Sequence, residues 1–196
     1  MEIRKEDRNE DCEKMKVWKH FCTITRHKYL VMKYCFRVGL YKQGLLHDLS
    51  KYSPTEFLVG CKYYQGNRSP NNAEREKKGY SSAWLHHKGR NKHHYEYWID
   101  YGLEPGQGLC GMRMPDRYIY EMFLDRIAAS KIYKKEKYTD RSPLEYYRKG
   151  MADSFMHPHT KEVLEHLLIM LAEKGEKTTL AYLRKEIWRN KKEHSF

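Results

Sequence analysis

From Glu13 to Val38 the sequence runs without a glycine or proline, and Gly39 follows at once. Ile24, Leu30, Val31 and Tyr34 fall at helical spacing within that run, which predicts one long opening helix stopped by the glycine. The same period continues. A short second helix is expected from Lys42 to Ser50. "SPTE" at 53–56 has the form of a capping box with proline at the first helical position, and starts a third helix reaching Tyr64. Residues 66–79 and 102–115 are rich in turn formers and read as loops framing a pocket mouth. Residues 81–101 return to helix, interrupted near Gly89. Pro115 opens a long helix to about Lys135, "SPLE" at 142–145 starts another that stops at Gly150, and two amphipathic helices over 160–174 and 178–192 flank Gly175. Alternating β-branched runs are nearly absent.

The expectation is a single all-α bundle of about seven or eight helices. It divides into a charged segment over 1–12, a helical domain over 13–156, and a C-terminal helical hairpin over 157–196 packed on that domain. No run of about 18 apolar residues occurs, so no membrane span is expected. The charged start lacks the apolar stretch of a secretory signal. Five cysteines, odd in number and never paired as CxxC, read as free thiols. Together these features set the expectation of a cytoplasmic protein. The net charge of +12 favours anionic partners, either a small phosphate ester or nucleic acid.

Four positions on three helices carry chemistry. His27 points into the apolar stripe of the first helix, as a core histidine or a ligand would. Asp125 has Met122, Ala128, Ala129 and Ile132 as its helical neighbours, a face where a carboxylate needs a partner or a metal. His47 and Asp48 stand side by side after "GLL", about 100° apart on a helix, yet able to reach one ion from its two flanks. Two histidines and two aspartates form a mixed nitrogen and oxygen set suited to Mn, Fe, Co, Ni or Zn. "HHKGRNKHH" at 86–94 adds His86, His87, His93 and His94 around Arg90. Seven-residue spacing pairs His86 with His93 and His87 with His94. One or two of these histidines complete a second metal site in this reading; the alternative is a surface patch of histidine and lysine.

His27, "HD" at 47–48, the histidine cluster and Asp125 in "LDRIAAS" resemble the ordered H…HD…D pattern of the HD-domain superfamily of metal-dependent phosphohydrolases. "HDLSK" is similar to the HD-x-G-K of its phosphodiesterase and di-iron oxygenase branches, with Ser50 where many relatives have glycine. More narrowly, "HDLSKYSPTEF", "LHHKGRNKHHYEYW" and "MFLDRIAASKIY" resemble a family of short bacterial and phage proteins catalogued only as a domain of unknown function. The resemblance covers roughly residues 15–150. It implies an HD-like helical fold with His27, His47, Asp48, His87, His94 and Asp125 as ligands to one or two ions.

On that basis the expected activity is hydrolysis of a phosphomonoester or phosphodiester, with a nucleotide as the expected substrate. Lys51 is placed to meet the substrate phosphate, and Arg90, His86 and His93 to grip further oxygens or protonate the leaving group. Glu56 is a further candidate acid or base, although the capping box already accounts for it. A di-iron oxygenase is the rival enzymatic reading. A basic helical module that stacks nucleic-acid bases on tyrosines of 61–64 and 95–101 is the non-enzymatic one.

Overall fold

The computed structural model describes residues 3–150 and 155–193, with side chains described over 13–150 and 155–189. The architecture is all-α: α1 Ile3–Val38, α2 Tyr41–Leu46, α3 Pro54–Tyr63, α4 Pro70–Lys78, α5 Ser82–Lys88, α6 Asp116–Lys134, α7 Ser142–Lys149 and α8 Pro158–Glu193. Val31, Tyr34, Cys35 and Val38 of α1 form one core with Ile119, Phe123, Leu124 and Ile127 of α6 and Leu164, Leu167, Leu168 and Leu171 of α8. Gly39 takes φ +93°, the left-handed turn that ends α1. The helix starts ten residues earlier than Glu13, because the glutamates, lysines and arginines of the charged segment are themselves good helix formers.

Within α8, Gly175 adopts φ 77° and ψ 167°, a conformation open to glycine alone. The chain reverses there: the rings of His166 and Tyr182 lie 5.7 Å apart, whereas sixteen residues of straight helix would separate them by about 24 Å. Leu180, Leu183 and Ile187 of the returning arm join the same core. Lys131 clamps the turn by ion-pairing with Glu176, which also accepts a hydrogen bond from the Tyr34 hydroxyl at 2.9 Å.

Several local expectations are corrected. Residues 70–78 are helical, not loop: Pro70 begins α4, Gly79 closes it at φ 83°, and only Ala73 and Glu74 are buried, too little apolar face to show in the sequence. The expected helix from Lys42 to Ser50 ends at Leu46, and a 3-10 turn over Leu49–Tyr52 follows. After α5 the chain leaves the helical path, and Ile99–Tyr101 (β1) pairs antiparallel with Leu109–Gly111 (β2), so the glycine-rich stretch closes a small hairpin. Three-residue strands are too short to show alternation. Neither capping box forms: no side-chain cap is made at Ser53, and α7 begins at Ser142 itself.

Candidate metal centre

The break between α2 and the 3-10 turn builds the centre. His47 is extended (φ −51°, ψ 127°), and Asp48 is left-handed at φ 53°. Aspartate tolerates that region better than most side chains. Lys28 of α1 holds the break in place, donating from Nζ to the carbonyls of Leu45 and His47 at 2.8 Å each. His47 and Asp48 therefore converge through a turn, and not from the flanks of a helix as expected.

Around Asp48 the fold gathers six further groups. His27 of α1, His47 and Asp125 of α6 face its Oδ2: His27 Nε2 lies 3.5 Å and His47 Nε2 3.3 Å from that oxygen, and Asp125 Oδ1 lies 2.8 Å from His27 Nε2 and 3.7 Å from His47 Nε2. His87 of α5 and His93 face Oδ1, at 3.3 and 3.4 Å from their Nε2 atoms, and His94 Nε2 is 2.9 Å from His87 Nε2. In each set of four, one donor atom per residue lies within 4.8 Å of all the others. Asp48 belongs to both sets, with one oxygen for each. Because α5 ends at Lys88, His93 and His94 sit on a turn and both reach the centre. His87 and His94 meet as expected, though through that turn and not along a helix, while His86 turns to Glu56 and away from the expected pairing with His93.

The cluster fits a metal on physical grounds. Oδ1 of Asp48 and Nε2 of His93 are buried without a hydrogen bond, an expensive condition for polar atoms, and Oδ2 of Asp48 has Lys51 Nζ at 2.5 Å as its one close partner. Donors bound at about 2.1 Å with angles of 90–109° stand about 3.0–3.4 Å apart, close to the spacing around Asp48. Buried groups of histidine and carboxylate able to hold a metal ion are thus present as two adjoining sets that share Asp48, with a third set, His47, His93 and Glu121, lying between them.

Electrostatics agree with the geometry. Burial alone would raise the Asp48 carboxyl, yet His47, Lys51 and His87 hold it well below the usual range. Asp125 is held low in the same way by hydrogen bonds from His27 and His47. His94 is pushed well below the ordinary imidazole value by burial and by His93 and His87, which leaves it neutral with a lone pair. Burial opposes protonation of Lys51, but Asp48 and Asp125 outweigh it, so this ion-paired lysine is a fixed cation and not a base.

Two carboxylates that the sequence reading did not place here orient the imidazoles. Glu121, one turn before Asp125 on α6, receives His47 Nδ1 at 2.9 Å and His93 Nδ1 at 3.2 Å on a single oxygen. Glu56 is drawn away from Ser53 and receives His86 Nδ1 and His87 Nδ1 at 2.7 Å each, which explains the failed capping box. The i to i+4 spacing of Glu121 and Asp125 was the available signal. Ser50 also has a role: its Oγ accepts from Asn91 Nδ2 at 2.7 Å and lies 3.2 Å from His87 Nδ1.

The expected substrate-gripping group does not assemble as a unit. His93 lies in the ligand set, and His86 is turned to Glu56. Arg90 is exposed and bonds back to the His86 carbonyl at 3.4 Å. Lys51 alone of the four stays beside Asp48 with part of its side chain reaching solvent.

Fold and centre define an all-α protein with a buried histidine–carboxylate cluster competent to hold metal. The chain belongs to a family of unknown function (DUF5662), which matches residues 16–170. No curated protein and no solved structure matches it. Among the described residues, no helix is long and apolar enough to cross a membrane.

Proposed function

We propose that the protein is an HD-type, metal-dependent hydrolase of phosphate esters, with nucleotides as its substrate class. The observation that carries the reading is the buried Asp48 carboxylate, which faces each of two candidate ligand sets with a different oxygen and whose Oδ1 has no hydrogen bond. In this reading His27, His47, Asp48 and Asp125 hold one divalent ion, and Asp48, His87, His93 and His94 hold a second. Ions so held lower the pKa of water and polarise a phosphoryl oxygen.

The chain itself supplies the rest. Lys51 keeps its proton and presents a cation beside the centre, suited to a phosphate as a point charge. The net charge of +12 favours the approach of an anion. Glu56 and Glu121 engage Nδ1 of His87 and His47, which orients both rings with Nε2 toward Asp48 as the atom that would meet an ion. The all-nitrogen-and-oxygen donor set suits Mn, Fe, Co, Ni or Zn.

The test is elemental analysis of protein purified without chelator, beside Asp48→Asn, followed by phosphate release from nucleotides with Mn or Co added. Metal in the wild type, none in the variant, and metal-dependent phosphate release support the proposal. Iron with oxygen uptake and no phosphate release would replace it with the oxygenase reading. No metal, with salt-sensitive nucleic-acid binding, would replace it with the binding module. Lys51→Met should keep its metal and raise KM more than it lowers kcat.

A further inference from the structure

The two subsites share more than Asp48. Oε1 of Glu121 lies 2.9 Å from Nδ1 of His47, which faces the first subsite, and 3.2 Å from Nδ1 of His93, which faces the second. The two rings stand 4.4 Å apart with an interplanar angle of 37°, so one carboxylate oxygen serves both. Glu121 is 4% exposed; beyond these imidazoles, the charge of Lys28 also acts on it. Glu56 differs. It holds His87 of the second subsite, and its other oxygen takes His86, which is in neither ligand set.

We infer that Glu121 is a positioning residue that couples the two metal subsites, whereas Glu56 tunes the second alone; this rests on the metal-binding reading above. An ionised carboxylate can only accept, so both imidazoles carry a proton on Nδ1, and Nε2 of each, which faces Asp48, is the atom left to meet an ion once it gives up any proton of its own. A histidine that donates to a carboxylate is also a better ligand, because negative charge moves toward the ring. One oxygen exerts both effects on one histidine of each subsite. Ordering either ring fixes Glu121 and so orders the other. Asp48 bridges the subsites directly, and Glu121 bridges them from behind.

The experiment is a competition titration of the full-length protein with cobalt(II) against a chromophoric chelator. The visible cobalt bands report the geometry of each site, and melting of the metal-free proteins reports the fold. The wild type should bind two cobalt ions. Glu121→Ala should weaken both sites by about 10–100-fold and shift both sets of bands. Glu56→Ala should weaken one site by a similar factor and leave the other unchanged. Glu121→Gln, which keeps an acceptor oxygen without the charge, should weaken both sites by a smaller common factor, and it carries the test if the alanine variant does not fold. Loss at a single site in either Glu121 variant, or equal loss at both sites in Glu56→Ala, would overturn the coupling. A wild type that takes up no cobalt would instead overturn the reading beneath it.

Discussion

Two buried carboxylates in this molecule are treated in opposite ways. Glu74 of α4 is fully buried and fully satisfied: Ser82 Oγ and Lys78 Nζ donate to Oε1 at 2.7 and 2.9 Å, and Ser81 Oγ to Oε2 at 2.7 Å. Asp48 is equally buried, but its neighbours are four imidazole nitrogens at 3.3–3.5 Å and Lys51 Nζ at 2.5 Å on Oδ2, and Oδ1 has no hydrogen bond. A structural carboxylate surrounds itself with donors at hydrogen-bond length. Asp48 has one such donor, and the imidazole nitrogens around it stand slightly too far away to serve. Burial and acidity look alike in the two; the nature and distance of the partners separate them.

The largest expected effect breaks the Asp48 side of this contrast. Asparagine tolerates the left-handed backbone at position 48, so Asp48→Asn removes charge with little backbone strain, whereas alanine adds about 1 kcal/mol of strain. Asp48→Asn should lose metal from both subsites while far-UV circular dichroism stays unchanged. Its metal-free form should be at least as stable as metal-free wild type in urea. Added metal should raise the melting temperature of the wild type alone. A variant that keeps its metal would end the comparison.

Glu74→Ala should do the reverse. Leaving the buried Ser81 hydroxyl, the half-buried Ser82 hydroxyl and the Ala83 amide without their acceptor costs about 1–3 kcal/mol. That corresponds to a fall in Tm of roughly 2–4 °C for each kcal/mol in a chain of this size, with metal content unchanged.

The pH response sharpens the contrast further. Burial raises the Glu74 carboxyl, but hydrogen bonds from Ser82, Lys78 and Ser81 bring it down to about 2 from an ordinary 4.5. A depressed carboxyl contributes stability above the unfolded value and loses it as pH falls toward the folded one. Acid unfolding of Glu74→Gln should therefore be shallower than that of wild type between pH 4.5 and 2.

Smallest, and remote from both carboxylates, Gly175→Ala should cost about 1–3 kcal/mol from backbone strain, with no change in cobalt binding. A Cβ there would meet Asp140 Oδ2 at 3.5 Å, an ordinary contact, so strain and not a clash sets the effect.

The long helices and most of the ligands were legible in the sequence. Apolar spacing and the stops at Gly39 and Gly175 marked α1 and α8, and the inward positions of His27 and Asp125 pointed to one centre. Glu56 was misread because "SPTE" satisfies a local rule that two histidines from α5 override. Glu121 shares a helix face with Asp125 four residues on, but that spacing alone does not mark it as part of the centre; its partners come from two other segments. His93 was assigned to substrate instead of metal because seven-residue spacing presupposes a helix that ends at Lys88. Helix α4 was taken for a loop because its buried face holds one alanine and a glutamate. In each case the deciding contact is long-range, and local pattern had nothing to report.

The position of the ligands along the chain bears on how the centre assembles. Ligands facing the first subsite span residues 27 to 125, and those facing the second span 48 to 94. Closing the shorter span costs about 0.7 kcal/mol less chain entropy. During synthesis, Asp48, His87, His93 and His94 are all translated before α6 exists, so the nascent chain can gather one nearly complete set early. Asp125 and Glu121 arrive together on a single helix, and docking that helix completes the other set and locks both. Under the proposed metal binding, a chelator added to a cell-free synthesis should lower the soluble fraction more than the same chelator added afterwards.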